Sequence, residues 1–169
     1  WNMTETSSPI VSRGYELVDA ASCGRQRPGM QCRLVDEEDN EVPAGEAGEL
    51  VVRGDAPWTL MLGYLGKPEQ TLETMRNLWL HTGDIFRRDA DGNFYYVDRK
   101  KDMIRRRGEN ISSVEVEAGV LAFEGVLECA AYGVPSEWGE EEVMVAVVPK
   151  PGCPVDTDAL HAHLRERLP

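Results

Sequence analysis

With 169 residues, 41% of them hydrophobic and 28% charged, the chain has material for one ordinary domain or two small ones and is too apolar for a disordered tail. A formal net charge of −12 argues against a general binder of nucleic acid or membrane surfaces, since both need clustered positive charge. There is no apolar run long enough to cross a bilayer and no charged start ahead of an apolar core, so a soluble, cytoplasmic protein without a transmembrane segment is expected.

Residues 1–29 read as loop, with Ser, Gly and Pro recurring and Pro28-Gly29 as a turn signal. Within them Trp1-Asn2-Met3-Thr4-Glu5-Thr6 sets a hydroxyl beside a carboxylate and close to an indole. That is either a solvated polar loop or a place where a carboxylate holds Mg²⁺, a hydroxyl meets a phosphate oxygen and an indole stacks on a base. Residues 30–36 alternate apolar and polar at period two, and an acidic turn leads to Gly48-Glu49-Leu50-Val51-Val52-Arg53-Gly54. The two predict an antiparallel pair in a small sheet or barrel. Pro68 ahead of Glu69 predicts a short helix, with proline at the permitted first turn and an acid near the N-terminus.

His81-Thr82-Gly83-Asp84 predicts a tight turn. Asp84 there either caps the turn itself or accepts hydrogen bonds from the vicinal hydroxyls of a ribose. Asp91-Gly92 between residues 85–88 and 94–97 predicts a hairpin; the Asp89-Ala90-Asp91-Gly92 start lacks the later oxygen ligands of a calcium loop. Asp98-Arg99-Lys100-Lys101-Asp102 is either an exposed charged link or, with Arg105, Arg106, Arg107 and a helix start after Gly108-Glu109-Asn110, a cluster that attracts a phosphorylated ligand.

Beyond residue 102 the pattern predicts strand, helix, strand, strand, helix in a small α+β layer. Ser112 to Glu115 form a capping box, and Val114, Val116, Val120, Leu121 and Phe123 are expected on one apolar side of a helix ending near Gly125. Residues 126–134 read as a strand, 137–142 as an acidic loop, 143–148 as a buried strand and 156–168 as a helix with Leu160, Leu164 and Leu168 in line. The four cysteines Cys23, Cys32, Cys129 and Cys153 lie far apart without a C-x-x-C pair, so free thiols are expected. A domain boundary is placed so that residues 1–100 and 101–169 separate, and neither end reads as a natural terminus.

In that order, Asn-Met-Thr-Glu-Thr, Gly48 to Gly54 with Gly63-Tyr64-Leu65, His-Thr-Gly-Asp and Asp-Arg-Lys-Lys-Asp-Met-Ile-Arg-Arg-Arg-Gly-Glu-Asn resemble the adenylate-forming superfamily, in its acyl-CoA ligase branch. The superfamily also holds firefly-type luciferases and adenylation domains of nonribosomal peptide synthetases. The resemblance implies a mixed α/β fold: an antiparallel β-barrel-like subdomain of a large domain, followed by a small mobile α+β domain.

It implies ATP, Mg²⁺ and CoA as co-substrates and cofactor, and a small-molecule carboxylic acid, fatty or carnitine-like, as substrate. Trp1 stands where the family has a Tyr that stacks on adenine, and Asn2 replaces a usual Gly. Thr4 is implied at phosphate, Glu5 at Mg²⁺, Asp84 and Arg99 at the ribose hydroxyls, and Lys101 at the hinge about which the small domain turns. Gly108, Glu109 and Asn110 are implied on the face that approaches the active site for thioester formation. The family's phosphate loop and adenylating lysine fall outside these residues, so the stretch alone is expected to lack ligase activity. A domain loading a carrier protein and a non-catalytic nucleotide or partner-binding module are the alternatives.

Overall fold

The computed structural model describes residues 1–12, 20–136 and 139–168. It contains two compact units, Trp1–Lys100 and Lys101–Pro169.

The first unit is built on a curled antiparallel half-barrel of six strands in the order β1-β2-β6-β5-β4-β3. The strands are β1 (Ile10–Val11), β2 (Ser22–Gln26), β3 (Met30–Val35), β4 (Ala47–Gly54), β5 (Leu80–Arg88) and β6 (Asn93–Arg99). Period-two alternation points Met30, Cys32 and Leu34 of β3 and Leu50 and Val52 of β4 into one core with Ile10, Phe86 and Phe94. Each such side chain contributes roughly 1.5–3 kcal/mol on burial. Phe86 is fully buried and meets Trp1, Phe94 and Tyr96 edge-on, the geometry that ring quadrupoles favour. On its other side β4 is also covered, with Val51 and Glu49 both buried. Helix α1 (Pro68–Thr74) begins at the proline, as its locked φ and missing donor allow.

Two expectations for this unit are corrected. The stretch 1–29 is not all loop: it carries β1 and β2, which pair with each other, and β2 pairs with β6 on its other side. Ser-Cys-Gly-Arg-Gln has no apolar alternation of its own, and pairing with a neighbour decides it. Residues 13–19 of that stretch lie outside the described ones. His81 to Asp84 form no free turn but run inside β5, where a bulge absorbs the glycine.

The second unit starts with a hairpin, β7 (Ile104–Arg106) and β8 (Glu109–Ile111), followed by α2 (Ser113–Leu121), β9 (Val126–Pro135), β10 (Glu141–Pro149) and α3 (Thr157–Arg167). Ser112 caps α2 by accepting the Glu115 amide at 3.3 Å, and Asp156 caps α3 by accepting those of Asp158 and Ala159. Val116, Val120, Val126, Ala131 and Leu160 form its core, with Leu164 and Leu168 packed against it.

Here too the sequence expectations need correction. Val116 and Val120 are four apart and share the buried side, whereas Val114 and Leu121 fall on the opposite side and are exposed. The apolar run of β10 is buried on one face only: Val143, Val145 and Val147 pack inward, while Met144 and Val148 are exposed. Of the expected acidic loop, Glu141 and Glu142 begin β10, and residues 137 and 138 lie outside the described ones. Among the described residues no helix is long and apolar enough to cross a membrane. Cys23, Cys32, Cys129 and Cys153 are free, and burial pushes the Cys32 thiol up to about 12.

Candidate functional site

Asp84 on β5 sits directly opposite Arg99 on β6. A bulge aims it. The ladder between β4 and β5 jumps from Val51 opposite His81 to Glu49 opposite Ile85, so residues 82–84 face the single Leu50. Gly83 supplies the necessary left-handed φ of 69°, which a side chain rarely adopts. The Thr82 hydroxyl donates to the Leu50 carbonyl at 2.7 Å and accepts the Asp84 amide at 3.1 Å, fixing the bulge from within.

Only 3% of Asp84 is exposed. Arg99 Nε stands 2.8 Å from its Oδ1, yet among the described residues no donor meets that buried oxygen with hydrogen-bond geometry. The two facts agree if the N–H points off the oxygen: charge is balanced while the lone pairs stay open. Burial pushes the Asp84 carboxyl above its ordinary value; the Arg99 charge and the Trp1 indole pull against that, and the Glu49 charge adds to it. Trp1 therefore reaches the same carboxylate, while its ring lies edge-on to Phe86 at 5.5 Å.

Thr4 and Glu5 lie in the turn between Met3 and Ser7, closed by Met3 N to Ser7 O at 3.1 Å and Thr6 N to Met3 O at 3.2 Å. Thr4 is exposed. Glu5 is half-buried and tethered twice: Oε1 accepts from the Tyr64 hydroxyl at 2.9 Å, and its carbonyl accepts the Met61 amide at 2.9 Å. Burial and then the Glu5 contact push the Tyr64 hydroxyl above its ordinary value.

Behind Asp84 and Arg99 lies a polar group that the sequence analysis left out. Glu49 is buried and accepts the Gly83 amide on Oε1 at 3.1 Å; its Oε2 takes Lys100 Nζ at 2.8 Å and lies 3.3 Å from His81 Nδ1. Burial by itself pushes the Glu49 carboxyl up, but Lys100 and then His81 outweigh it and hold the group below its ordinary value. The available signal was a lone carboxylate directly ahead of the apolar run Leu50-Val51-Val52. Thr6 was also missed: it is fully buried and its hydroxyl has no partner among the described residues. A cavity of about 290 Å³ touches His81, Trp79 and Asp39 but none of Asp84, Arg99 and Glu5.

In the second unit Lys101 is exposed in the 3₁₀ turn Lys100–Asp102. Gly108 does not open a helix. Arg107 and Gly108, at φ 54° and 81°, form the two-residue turn of the β7–β8 hairpin, and Glu109 and Asn110 lie in β8 opposite Arg106 and Arg105. The cations there are not gathered at a helix N-terminus either. Arg106 Nε pairs with Glu142 at 2.6 Å, Glu141 accepts the Arg105 amide at 3.0 Å, and the Glu140 carboxylate accepts the Gly108 amide at 3.1 Å. The acidic stretch at the start of β10 thus takes one guanidinium, that of Arg106, and two backbone amides of the hairpin. The Asp89 to Gly92 turn is a hairpin whose Asp89 carboxylate is taken up by Asn93, Asp91 and Tyr95.

Residues 1–65 match the model of AMP-binding enzymes, and residues 115–169 match that of the AMP-binding enzyme C-terminal domain. A feruloyl-CoA synthase from an Amycolatopsis species is 42% identical over 171 residues, covering 99% of this chain and 34% of the relative. A long-chain-fatty-acid–CoA ligase from Salmonella typhimurium is 44% identical over 170 residues, covering 99% and 29%. The o-succinylbenzoate coenzyme A synthetase of Bacillus subtilis, solved with ATP and magnesium ion, superposes with a TM-score of 0.83 at 27% identity, over 99% of this chain and 34% of that one. An amide bond synthetase from Marinactinospora thermotolerans gives 0.74 at 32% identity, over 88% and 29%. The chain thus spans about a third of the length of the curated relatives it matches. With a model of the AMP-binding enzymes matching residues 1–65 of its first unit, that of their C-terminal domain matching residues 115–169 of its second, and a half-barrel shared with solved members, the chain belongs to the adenylate-forming enzymes.

Proposed function

We propose that this chain is the nucleotide-gripping and hinge-bearing part of an AMP-forming acid–thiol ligase. In the whole enzyme the oxygen of a carboxylic acid attacks the α-phosphorus of ATP, pyrophosphate leaves, and the thiol of CoA then attacks the acyl carbon of the acyl-AMP and releases AMP. The observation that carries the proposal is Asp84: a buried carboxylate with an open lone pair, charge-balanced by Arg99, in a chain related to CoA ligases. A buried acceptor left open costs about 1–3 kcal/mol, which a ligand hydroxyl recovers. Asp84 then accepts from the ribose hydroxyls, Arg99 donates beside it, and the Trp1 indole flanks the pair at the base. Lys101 is the pivot between half-reactions, and Gly108, Glu109 and Asn110 belong to the face used in thioester formation.

Mg²⁺ takes one or two carboxylates together with substrate phosphates and keeps several waters. Glu5, held by the Tyr64 hydroxyl, is the carboxylate that would hold it, with Thr4 beside it for a phosphate oxygen. When bound, the ion offsets the charge that builds on the phosphates.

A fatty or carnitine-like acid is the first substrate class to test. The names of the relatives span feruloyl-CoA, long-chain fatty acids and sulfoacetate, so an aromatic and a short anionic acid belong in the same panel. Because one neighbour is an amide bond synthetase, amines and carrier-protein thiols are tested as acceptors beside CoA. The assay is ATP–pyrophosphate exchange with the full-length protein over that panel, followed by acceptor-dependent AMP release. Acid-dependent exchange that Asp84→Ala abolishes is expected. No exchange with any acid, or full exchange by Asp84→Ala, would overturn the proposal.

A further inference from the structure

The ladder puts Gly83 one residue before Asp84 on β5 and Lys100 one residue after Arg99 on β6. Both neighbours are held by one carboxylate. Glu49 Oε1 accepts the Gly83 amide at 3.1 Å, and Oε2 pairs with Lys100 Nζ at 2.8 Å. Glu49 reaches them from β4, on the strand face away from the aromatic core, where it is 5% exposed. Glu49 is the buried member of both contacts: it holds the Gly83 amide away from water and draws in Lys100, whose side chain is otherwise 42% exposed. His81 Nδ1 at 3.3 Å is the remaining neighbour and occupies the same oxygen as Lys100.

We infer that Glu49 is a positioning residue: through Gly83 it sets the bulge that aims Asp84, and through Lys100 it pins the strand end carrying Arg99 and the fixed side of the pivot that begins at Lys101. It touches no substrate; it acts through the residues next to those that do. The inference rests on the reading of Asp84 and Arg99 as the ribose grip. Glu49 has two separable functions, and substitution divides them. Glu49→Gln keeps an oxygen that accepts the Gly83 amide and loses the charge that holds Lys100. Glu49→Ala loses both. Lys100→Gln leaves the Gly83 contact untouched and breaks only the clasp.

The test uses the full-length protein and calorimetry with AMP, steady-state KM for ATP in the exchange assay, the rate of the CoA-dependent step, and thermal unfolding to identify variants that fail to fold. Glu49→Ala is expected to weaken AMP binding and raise the KM for ATP by about tenfold or more, with Glu49→Gln restoring most of that loss. Lys100→Gln and Glu49→Gln are expected to slow the CoA-dependent step alike, and the double variant to be no slower than either single one, as coupled partners require. Should Glu49→Ala not fold, the Glu49→Gln and Lys100→Gln cycle decides alone. Additive effects in that cycle, or folded Glu49→Ala with unaltered AMP affinity, would overturn the inference. If Asp84→Ala also keeps its AMP affinity, the ribose grip itself is wrong; if Asp84→Ala loses it while the Glu49 variants keep theirs, only the positioning role is.

Discussion

Asp84 and Arg99 face each other across β5 and β6 with Nε 2.8 Å from Oδ1, yet that oxygen receives no directed hydrogen bond among the described residues. A carboxylate that is buried and open is poorly arranged for stability and well arranged to accept a ligand's hydroxyl.

Asp84→Asn removes a buried charge whose ionised form the fold disfavours, since burial pushes this carboxyl up. A raised folded pKa means the native state holds its proton more tightly than the unfolded chain, so the ionised group weakens the fold at neutral pH. Thermal unfolding of Asp84→Asn is expected at or above the wild-type midpoint, with AMP affinity down about tenfold or more. A lowered midpoint would show that Asp84 serves the fold.

Acidification is expected to weaken nucleotide binding before it unfolds the protein. Asp84 takes up its proton above the ordinary carboxylate value and then offers the ribose one acceptor fewer. Glu49 behaves oppositely: its folded pKa is depressed, so its contribution to stability is complete above the unfolded value and is lost only as pH falls through the lower, folded one. AMP titrations and circular dichroism across the same pH series check this; the two curves falling together would contradict it.

Thr6→Val replaces a buried hydroxyl that has no partner among the described residues with a methyl of similar size. Relieving the unsatisfied group is expected to stabilise the protein by about 1 kcal/mol, read as a rise in the unfolding midpoint. A clear loss of stability would mean the hydroxyl is in use.

Lys101→Pro fixes φ at the exposed residue with which the second unit begins. If this is the pivot, pyrophosphate exchange survives while CoA-dependent product formation falls about 100-fold. Equal loss of both steps would place the defect in the first half-reaction.

Much of this was legible from local pattern. Alternation in residues 30–36, the acidic turn ahead of residues 48–54, Pro68, the Asp91-Gly92 turn and the Ser112 cap each declared its element, because each acts within a few residues. What the sequence hid depends on partners far along the chain. β2 exists because β6 pairs with it, and His81 to Asp84 form a bulged strand because β4 and β6 flank them. Glu49 reads as part of a strand motif until Lys100, 51 residues on, closes on it. Arg106 reads as one cation of a cluster until Glu142, 36 residues on, pairs with it from β10.

The most direct measurement compares AMP with 2′,3′-dideoxy-AMP on wild-type and Asp84→Ala full-length protein by calorimetry. Wild type is expected to bind the dideoxy nucleotide about tenfold or more weaker than AMP, and Asp84→Ala to bind the two alike, because removing either partner removes the same contact. If Asp84→Ala discriminates between them as strongly as wild type does, the ribose hydroxyls do not sit on Asp84.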